Sequence, residues 1–203
     1  MPISLNLIII GVTCLVSFLA FSNPRIIDNL ILWPPAISRR KEYYRLASYG
    51  LIHADWTHLL FNMMTLYFFG RAIEPLVVAK LGVIGYLVFY VGALVASILP
   101  TYAQNKDNPE YRSLGASGAV SAVLFAFILI QPWSRIYLYG ALGVPAIIYA
   151  VLYVGYSIYM DRANKDNVNH SAHLWGAAYG IAFLLVMEPS VLGIFLERLT
   201  NPR

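Results

Sequence analysis

Charged residues are scarce in this chain of 203 residues. Asp, Glu, Lys and Arg make up 12% of it, whereas a soluble globular domain carries about 25%. With 59% hydrophobic residues, the composition excludes a disordered chain and argues against a soluble enzyme. The net charge of +4 is scattered along the sequence. A nucleic-acid-binding protein needs a basic stripe, so we expect no nucleic-acid partner.

Cysteine is almost absent as well. The only cysteine is Cys14, which lies inside an apolar run. This excludes an internal disulfide and a cysteine-based metal site. The two halves of the chain show no convincing repeat, and the length suits one domain covering residues 1–203.

Charge is missing from five long stretches, each long enough to cross the roughly 20-residue hydrocarbon core as a helix. A sixth segment, Trp56 to Ala79, has Arg71 and Glu74 only near its far end. We therefore predict an all-α polytopic membrane protein with a long interfacial first loop and Pro145 kinking the fifth span. The predicted spans cover about residues 4–22, 57–78, 82–103, 115–131, 138–159 and 169–187.

Polar side chains inside membrane spans are costly, so each one marks a candidate functional site. His58 and Asn62 lie near the start of the second predicted span, Ser117 near the start of the fourth, and His173 near the start of the sixth. Alternate spans begin on the same side of the membrane, so these residues share one face. At 1.5 Å per residue, they lie roughly 5–10 Å into their helices.

Small residues at four-residue spacing predict that the fourth and sixth spans pack closely. Such faces let two helix backbones approach each other in lipid, although similar patterns are common in any membrane bundle. Ser117 and His173 border the predicted seam. The small residues are Gly118, Ala122 and Ala126 on one span, and Ala172, Gly176 and Gly180 on the other.

A serine and a histidine in this arrangement indicate nucleophilic catalysis. A serine hydroxyl needs a base to take its proton, and histidine is the usual base. Free N–H groups at a helix start, near Ser117, point at a developing oxyanion. His58 and Asn62 share one helix face and can add side-chain donors. Each also has a structural interpretation: Ser117 as a helix cap, Asn62 as an interhelical hydrogen bond and His58 as an interface residue.

Three other functions remain open on the residues alone. His58, His170 and His173 provide three possible metal ligands, although no H-E-x-x-H motif is present. A transporter with a histidine proton relay is a second possibility, but its site would lie near the midplane. A protein that binds transmembrane helices without cleaving them is the third. We expect no cofactor and no metal.

Three motifs resemble those of the rhomboid family of intramembrane serine proteases, in its minimal six-helix bacterial form. The first runs from Tyr44-Arg45-Leu46 through His53 to His58-Leu-Leu-Phe-Asn62. The second is Gly115-Ala-Ser117-Gly118, which matches G-x-S-G. The third is His173-Leu-Trp-Gly176-Ala-Ala-Tyr-Gly180, which matches H-x-x-G-x-x-x-G. The resemblance covers nearly the whole chain.

The resemblance implies a role for each of these residues. Ser117 would be the nucleophile and His173 the general base and acid, with His58, Asn62 and the Ser117 N–H forming the oxyanion hole. Gly118, Gly176 and Gly180 would pack the helices. Arg45 would help to fix the first loop, and Glu74 resembles a structural polar residue late in the family's second helix. The implied partners are transmembrane protein substrates and the lipid bilayer.

The resemblance also implies a bacterial inner membrane with both termini cytoplasmic and the active site facing outward. The positive-inside rule alone favours the opposite orientation, because loops one, three and five hold nine of the 14 Lys and Arg. The family's first loop lies half in the membrane, so we follow the family. One departure bears on the chemistry. Well-studied bacterial members carry an aromatic residue one turn after the serine, stacked on the histidine, and here that position is Ser121. We expect the ring of His173 to be held otherwise or more loosely.

Overall fold

The computed structural model describes residues 4–138, 141–163 and 165–201. This part of the chain is mostly helical, with a 3-10 turn at Tyr49–Leu51 and one antiparallel hairpin of β1 (Arg135–Leu138) and β2 (Leu142–Pro145). The helices are α1 (Leu5–Ser22), α2 (Pro24–Leu30), α3 (Pro34–Arg40), α4 (Arg45–Ser48), α5 (Trp56–Gln104), α6 (Ser117–Ile130), α7 (Ala146–Ala163), α8 (His170–Met187) and α9 (Ser190–Thr200).

Three of the helices in the described part of the chain, α1, α5 and α8, are long and apolar enough to cross a membrane. Helix α6 is apolar but shorter, with 14 residues. The predicted spans 4–22, 115–131 and 169–187 agree with α1, α6 and α8 to within two residues at each end.

Helix α5 reverses direction at Gly82, whose φ of 71° and ψ of 179° are not helical. The side chain of Asn6 shows the reversal, because it donates to the carbonyl of Leu66 at 3.0 Å and accepts from the Tyr86 hydroxyl at 2.9 Å. On a straight helix, Leu66 and Tyr86 would lie about 30 Å apart. Gly82 is the first residue of the predicted span 82–103, so the reversal falls at the start of that span.

The predicted fifth span, 138–159, is wrong at its start. Residues 139 and 140 lie outside the described residues, and residues 142–145 form β2, so α7 begins only at Ala146. Pro145 pairs with Arg135 at the end of the hairpin and therefore does not kink the helix. The absence of charge does not distinguish an apolar strand from an apolar helix. Here the pairing of β2 with β1 makes residues 142–145 a strand. The predicted single domain, 1–203, also includes residues outside the described part and stays a prediction.

Helix α6 lies at the centre of the fold, where it packs against α5, α7, α8 and α9. Eleven of its 14 residues are buried. Helix α7 lies at the periphery, and only three of its 18 residues are buried, namely Ala146, Ala150 and Ser157. The two helices thus differ in how much apolar packing would be lost if either moved.

The segment between α1 and α5 is ordered by the buried side chain of Arg45. Its Nη1 donates to the carbonyls of Asp28 and Ile31, each at 2.8 Å, and its Nε donates to Glu42 at 2.5 Å. The bond from Arg45 holds the pKa of the Glu42 carboxyl below its usual value. Leu32 and Ser113 exchange backbone hydrogen bonds, which joins this segment to the chain just before α6.

Candidate active site

Ser117 and His173 are in direct hydrogen-bond contact. The Nε2 of His173 lies 2.8 Å from the Oγ of Ser117, although the two residues are 56 positions apart in the sequence. Ser117 is the first residue of α6 and His173 the fourth of α8, and both side chains are half-buried. This distance suits transfer of a proton from the hydroxyl to the imidazole.

Close packing of α6 on α8 brings the two side chains together. A Cβ placed on Gly176 would lie 2.0 Å from the backbone oxygen of Gly118, and one placed on Gly180 would lie 2.1 Å from that of Ala122. Neither position has room for a side chain. Gly118 and Ala122 therefore face Gly176 and Gly180 across the predicted seam, with Ser117 and His173 beside them.

The loop before Ser117 is shaped by Gly115 and held by the backbone around it. Gly115 has a φ of 113°, a conformation that residues with a Cβ rarely adopt. Its N–H donates to the carbonyl of Tyr49 at 2.9 Å. The ring of His58 lies against Gly115, so close that a Cβ there would be 2.5 Å from the imidazole Cε1. The predicted oxyanion residue His58 thus borders the serine loop.

His53 connects α1, the first loop and the serine loop. Its Nε2 accepts from the N–H of Ala116 at 3.3 Å, and its Nδ1 lies 2.9 Å from the Oγ of Ser17. The Ser17 hydroxyl donates to the carbonyl of Leu51, so His53 must carry its proton on Nδ1 and donate it to Ser17. Burial lowers the pKa of His53 to about 3 and keeps the ring neutral. His53 belongs to the first sequence motif, which did not predict this role for it.

Asn62 is buried one helical turn after His58 in α5. Its Nδ2 donates to the carbonyl of His58 at 2.9 Å. The side chain of Asp55 caps the start of this helix by accepting from the His58 N–H at 2.8 Å. An amide nitrogen carries two N–H groups, so the bond to the His58 carbonyl uses one of the two donors of Asn62.

Two rings pack on the imidazole of His173. Tyr153 of α7 stacks on it with 6.1 Å between the ring centroids and 28° between the planes, and His170 approaches edge-on at 5.7 Å. Tyr153 also reaches the Oγ of Ser121 with its hydroxyl, at 2.6 Å. Although the position one turn after the serine is Ser121, His173 still has an aromatic neighbour, which is Tyr153 of α7. Tyr153 was not predicted from the sequence, where the only signal for it was a fifth span rich in tyrosine.

The other two predicted structural residues act elsewhere. Arg45 holds the first loop as described above. Glu74 lies inside α5 and not in a loop. Its carboxylate accepts hydrogen bonds from the hydroxyl of Ser4, from the N–H of Leu5 at 2.6 Å and from the N–H of Asn6. A carboxylate at this place satisfies free N–H groups at the start of α1 and complements the helix dipole.

The histidines do not form a metal centre with acidic neighbours. Over residues 4–138, 141–163 and 165–201, no three side chains of His, Cys, Asp or Glu are grouped so that they could hold a metal ion. His170 points its Nε2 at the carboxylate of Asp166, 3.2 Å away.

The apolar helices and the contact between Ser117 and His173 define the class of the protein. It is an integral membrane protein with a serine–histidine pair. The chain belongs to the rhomboid family, because the Rhomboid domain model matches residues 40–190. The predicted family membership is confirmed, as is the coarser prediction of a helical membrane protein.

Relatives in bacteria and plants agree with this assignment. The chain is 31% identical over 181 residues to "Putative rhomboid protease YdcA" of Bacillus subtilis (strain 168), covering 85% of this chain and 84% of that protein. It is 34% identical over 146 residues to "RHOMBOID-like protein 12, mitochondrial" of Arabidopsis thaliana, covering 66% of this chain. It is 29% identical over 164 residues to "Rhomboid-like protein 11, chloroplastic" of the same plant, covering 72% of this chain. The chain spans 44% and 53% of the two plant proteins.

Proposed function

We propose that this protein is an intramembrane serine endopeptidase that cleaves transmembrane segments of membrane proteins near the membrane surface. The observation that carries the proposal is the 2.8 Å contact between the Oγ of Ser117 and the Nε2 of His173 at the start of a buried helix. Membership of a family that includes serine proteases supports it, as does the relative in Bacillus subtilis whose name contains "rhomboid protease".

The proposed architecture is a single domain with six membrane spans. Helices α1, α6, α7 and α8 provide four of them, and the two parts of α5 on either side of Gly82 provide the others. The length of α5 supports this count, since 49 residues extend about 74 Å, more than twice the hydrocarbon core of about 30 Å. We place the protein in a bacterial inner membrane with both termini in the cytoplasm and the active site facing outward.

The short length of α6 supports a reaction below the membrane surface. Its 14 residues span about 21 Å, about 9 Å less than the hydrocarbon core. If the end of α6 at Ile130 lies at the opposite interface, Ser117 lies within the depth of the membrane. The half-buried state of Ser117 and His173 agrees with a cavity that opens to water on that side.

The proposed reaction proceeds through an acyl-enzyme. The Ser117 Oγ attacks the scissile carbonyl carbon while His173 Nε2 takes the hydroxyl proton. The C–N bond then breaks, and His173 gives that proton to the leaving amine. Water attacks the ester carbonyl with His173 again as the base, and the ester bond breaks as the proton returns to Ser117.

The negative charge on the substrate oxygen needs donors in place before the reaction. The N–H of Ser117 lies in the first turn of α6, where the helix itself does not use it. The second N–H of Asn62 and the ring of His58, which borders Gly115, are the proposed side-chain donors. Donors fixed in this way act most strongly where water is excluded.

A substrate helix has to reach Ser117 from the lipid, and α7 is the proposed gate. Only three of its 18 residues are buried. An apolar groove of about 460 Å³ is lined by residues of α6, α7, α8 and α9, among them Ile128, Ala150, Ile181 and Phe195. Moving α7 therefore costs less buried apolar surface than moving any helix in the centre.

Labelling with a fluorophosphonate tests the proposal without a known substrate. The wild type in mild detergent is exposed to the probe, and mass spectrometry locates the adduct. We expect an adduct on Ser117 that is absent in Ser117→Ala and lost in His173→Ala, with no effect of a metal chelator. Size-exclusion chromatography shows whether each variant is folded. No adduct on a folded wild type would contradict an activated serine and favour a protein that binds transmembrane helices without cleaving them.

A further inference from the structure

Tyr153 of α7 contacts both the histidine and the helix of the serine. Its ring stacks on His173, its hydroxyl lies 2.6 Å from the Oγ of Ser121, and its ring packs 5.5 Å from that of Phe125. Ser121 and Phe125 belong to α6, so Tyr153 joins three helices at the candidate active site.

The hydrogen bonds around Tyr153 have a defined direction. The Ser121 hydroxyl donates to the carbonyl of Ser117 at 2.8 Å, which uses its only proton. The Tyr153 hydroxyl must therefore donate to Ser121. Two consecutive hydrogen bonds thus connect Tyr153 of α7 to the backbone of Ser117. The ring of the same tyrosine stacks on His173.

His173 depends on such packing because, in the described part of the chain, the only side-chain hydrogen bond of its ring is the one to Ser117. A base that accepts through Nε2 carries its own proton on Nδ1, and a carboxylate usually fixes that nitrogen. Among the described residues, no side chain accepts a hydrogen bond from the Nδ1 of His173. The rings of Tyr153 and His170 are what hold the imidazole plane in line with Ser117.

Building on the proposed function, we propose that Tyr153 is the positioning residue of His173 and that it makes the reactivity of Ser117 depend on the position of α7. With α7 packed on α6, the ring holds the imidazole and the Ser117–His173 contact is made. When α7 moves out into the lipid, the ring leaves with it, and the pair loses its alignment until α7 returns. Cleavage would thus follow closure of α7 behind the substrate.

The rate of Ser117 labelling by a fluorophosphonate, measured against pH, tests the first part. We expect Tyr153→Ala and the bulkier Tyr153→Leu to lower the rate on the order of ten- to a hundredfold and to move the midpoint of the pH profile. Tyr153→Phe keeps the ring and should stay within a few-fold of the wild type. Tyr159→Ala is the matched control, because Tyr159 is exposed and contacts Lys165.

Moving the ring to α6 tests the dependence on α7. The double variant Ser121→Phe with Tyr153→Ala places an aromatic ring one turn after Ser117, and we expect it to regain most of the labelling rate. Ala150→Phe then forces a large side chain into the groove between α7 and its neighbours. It should slow labelling in the wild-type background and leave the double variant almost unchanged.

Each outcome separates this inference from the proposed function. A wild type that is folded but not labelled overturns the proposed function and this inference with it. A labelled wild type with a folded Tyr153→Leu of equal rate and equal pH profile overturns this inference and leaves the proposed function standing. Equal slowing by Ala150→Phe in both backgrounds overturns the link to α7 and leaves the positioning role standing.

Discussion

The imidazole of His53 accepts a hydrogen bond from the backbone N–H of Ala116 at 3.3 Å. The proposed nucleophile is the next residue along the chain, so a histidine in the first loop holds the backbone that presents Ser117. The same ring reaches α1 through Ser17. The first loop thus takes part in the candidate active site through hydrogen bonds to the backbone.

Replacement of His53 should therefore weaken both the fold and the reaction. In His53→Ala, the buried N–H of Ala116 loses its acceptor, which costs about 1–3 kcal/mol of the free energy of unfolding. We expect slower labelling of Ser117 by a fluorophosphonate as well. His53→Gln, whose amide offers both a donor and an acceptor, should lose less. If His53→Ala matched the wild type in thermal stability and labelling rate, this hydrogen bond would have no structural value.

The stability of the wild type should fall as the pH drops from 7 to 5. Burial lowers the pKa of His53 to about 3 in the folded state, whereas an unfolded histidine has a pKa of about 6.5. The unfolded state therefore binds the extra proton first, and the contribution of His53 declines as the pH falls below about 6.5. The expected loss is on the order of 2 kcal/mol.

Unfolding measured in detergent at both pH values checks this, with His53→Gln as the reference. The decline should be smaller in that variant, because the other titrating groups are shared. Equal declines in the two proteins would show that His53 is not the group responsible.

Gly176→Ala should separate α8 from α6. The new Cβ would lie 2.0 Å from the backbone oxygen of Gly118, which cannot move without moving its helix. We expect a loss of about 1–3 kcal/mol in stability and a loss of Ser117 labelling, since His173 moves with α8. Gly11→Ala in α1 is the matched control, because a Cβ there meets no atom within 4 Å. Normal labelling of Gly176→Ala would show that the contact between Ser117 and His173 persists when α6 and α8 lie further apart.

Asn62→Ala should reduce the reaction rate by a factor on the order of ten to a thousand, if its amide is one of several oxyanion donors. Labelling of Ser117 measures the rate, and thermal unfolding reports the stability. Asn105→Ala is a close control, since Asn105 donates to the carbonyl of Thr101 at 2.9 Å just as Asn62 donates to that of His58. Similar small effects of both substitutions on the rate would leave Asn62 with a structural role alone.

Gly82→Ala should destabilise the protein through the backbone. The φ of 71° and ψ of 179° at this position are open essentially to glycine, and another residue there costs about 1–3 kcal/mol. A Cβ on Gly82 would meet no atom within 4 Å, so steric contact adds nothing. Gly155→Ala in α7 is equally free of neighbours but lies in a regular helix, and it should leave stability unchanged or slightly higher. Equal stability of the two variants would contradict the proposed strain.

The positions of α1, α6 and α8 could be predicted from the sequence because a helix in lipid has to be apolar over a defined length. The same rule failed for the start of α7. Residues 142–145 are as free of charge as residues 146–160 of the helix that follows, and their strand exists only because they pair with residues 135–138. Tyr153 was out of reach for a similar reason, since stacking on His173 requires two helices to be placed side by side.

The linear sequence was enough to identify the class of the protein, its family and the candidate site residues, because the cost of polar groups in lipid and the spacing of motifs are properties of a linear chain. The folded structure was needed to show that Ser117 and His173 meet at 2.8 Å, that His53 holds the serine loop and that Tyr153 stacks on the ring of His173. These relationships depend on helix packing at the scale of single atoms. Such packing is set by many residues together, and no motif contains it.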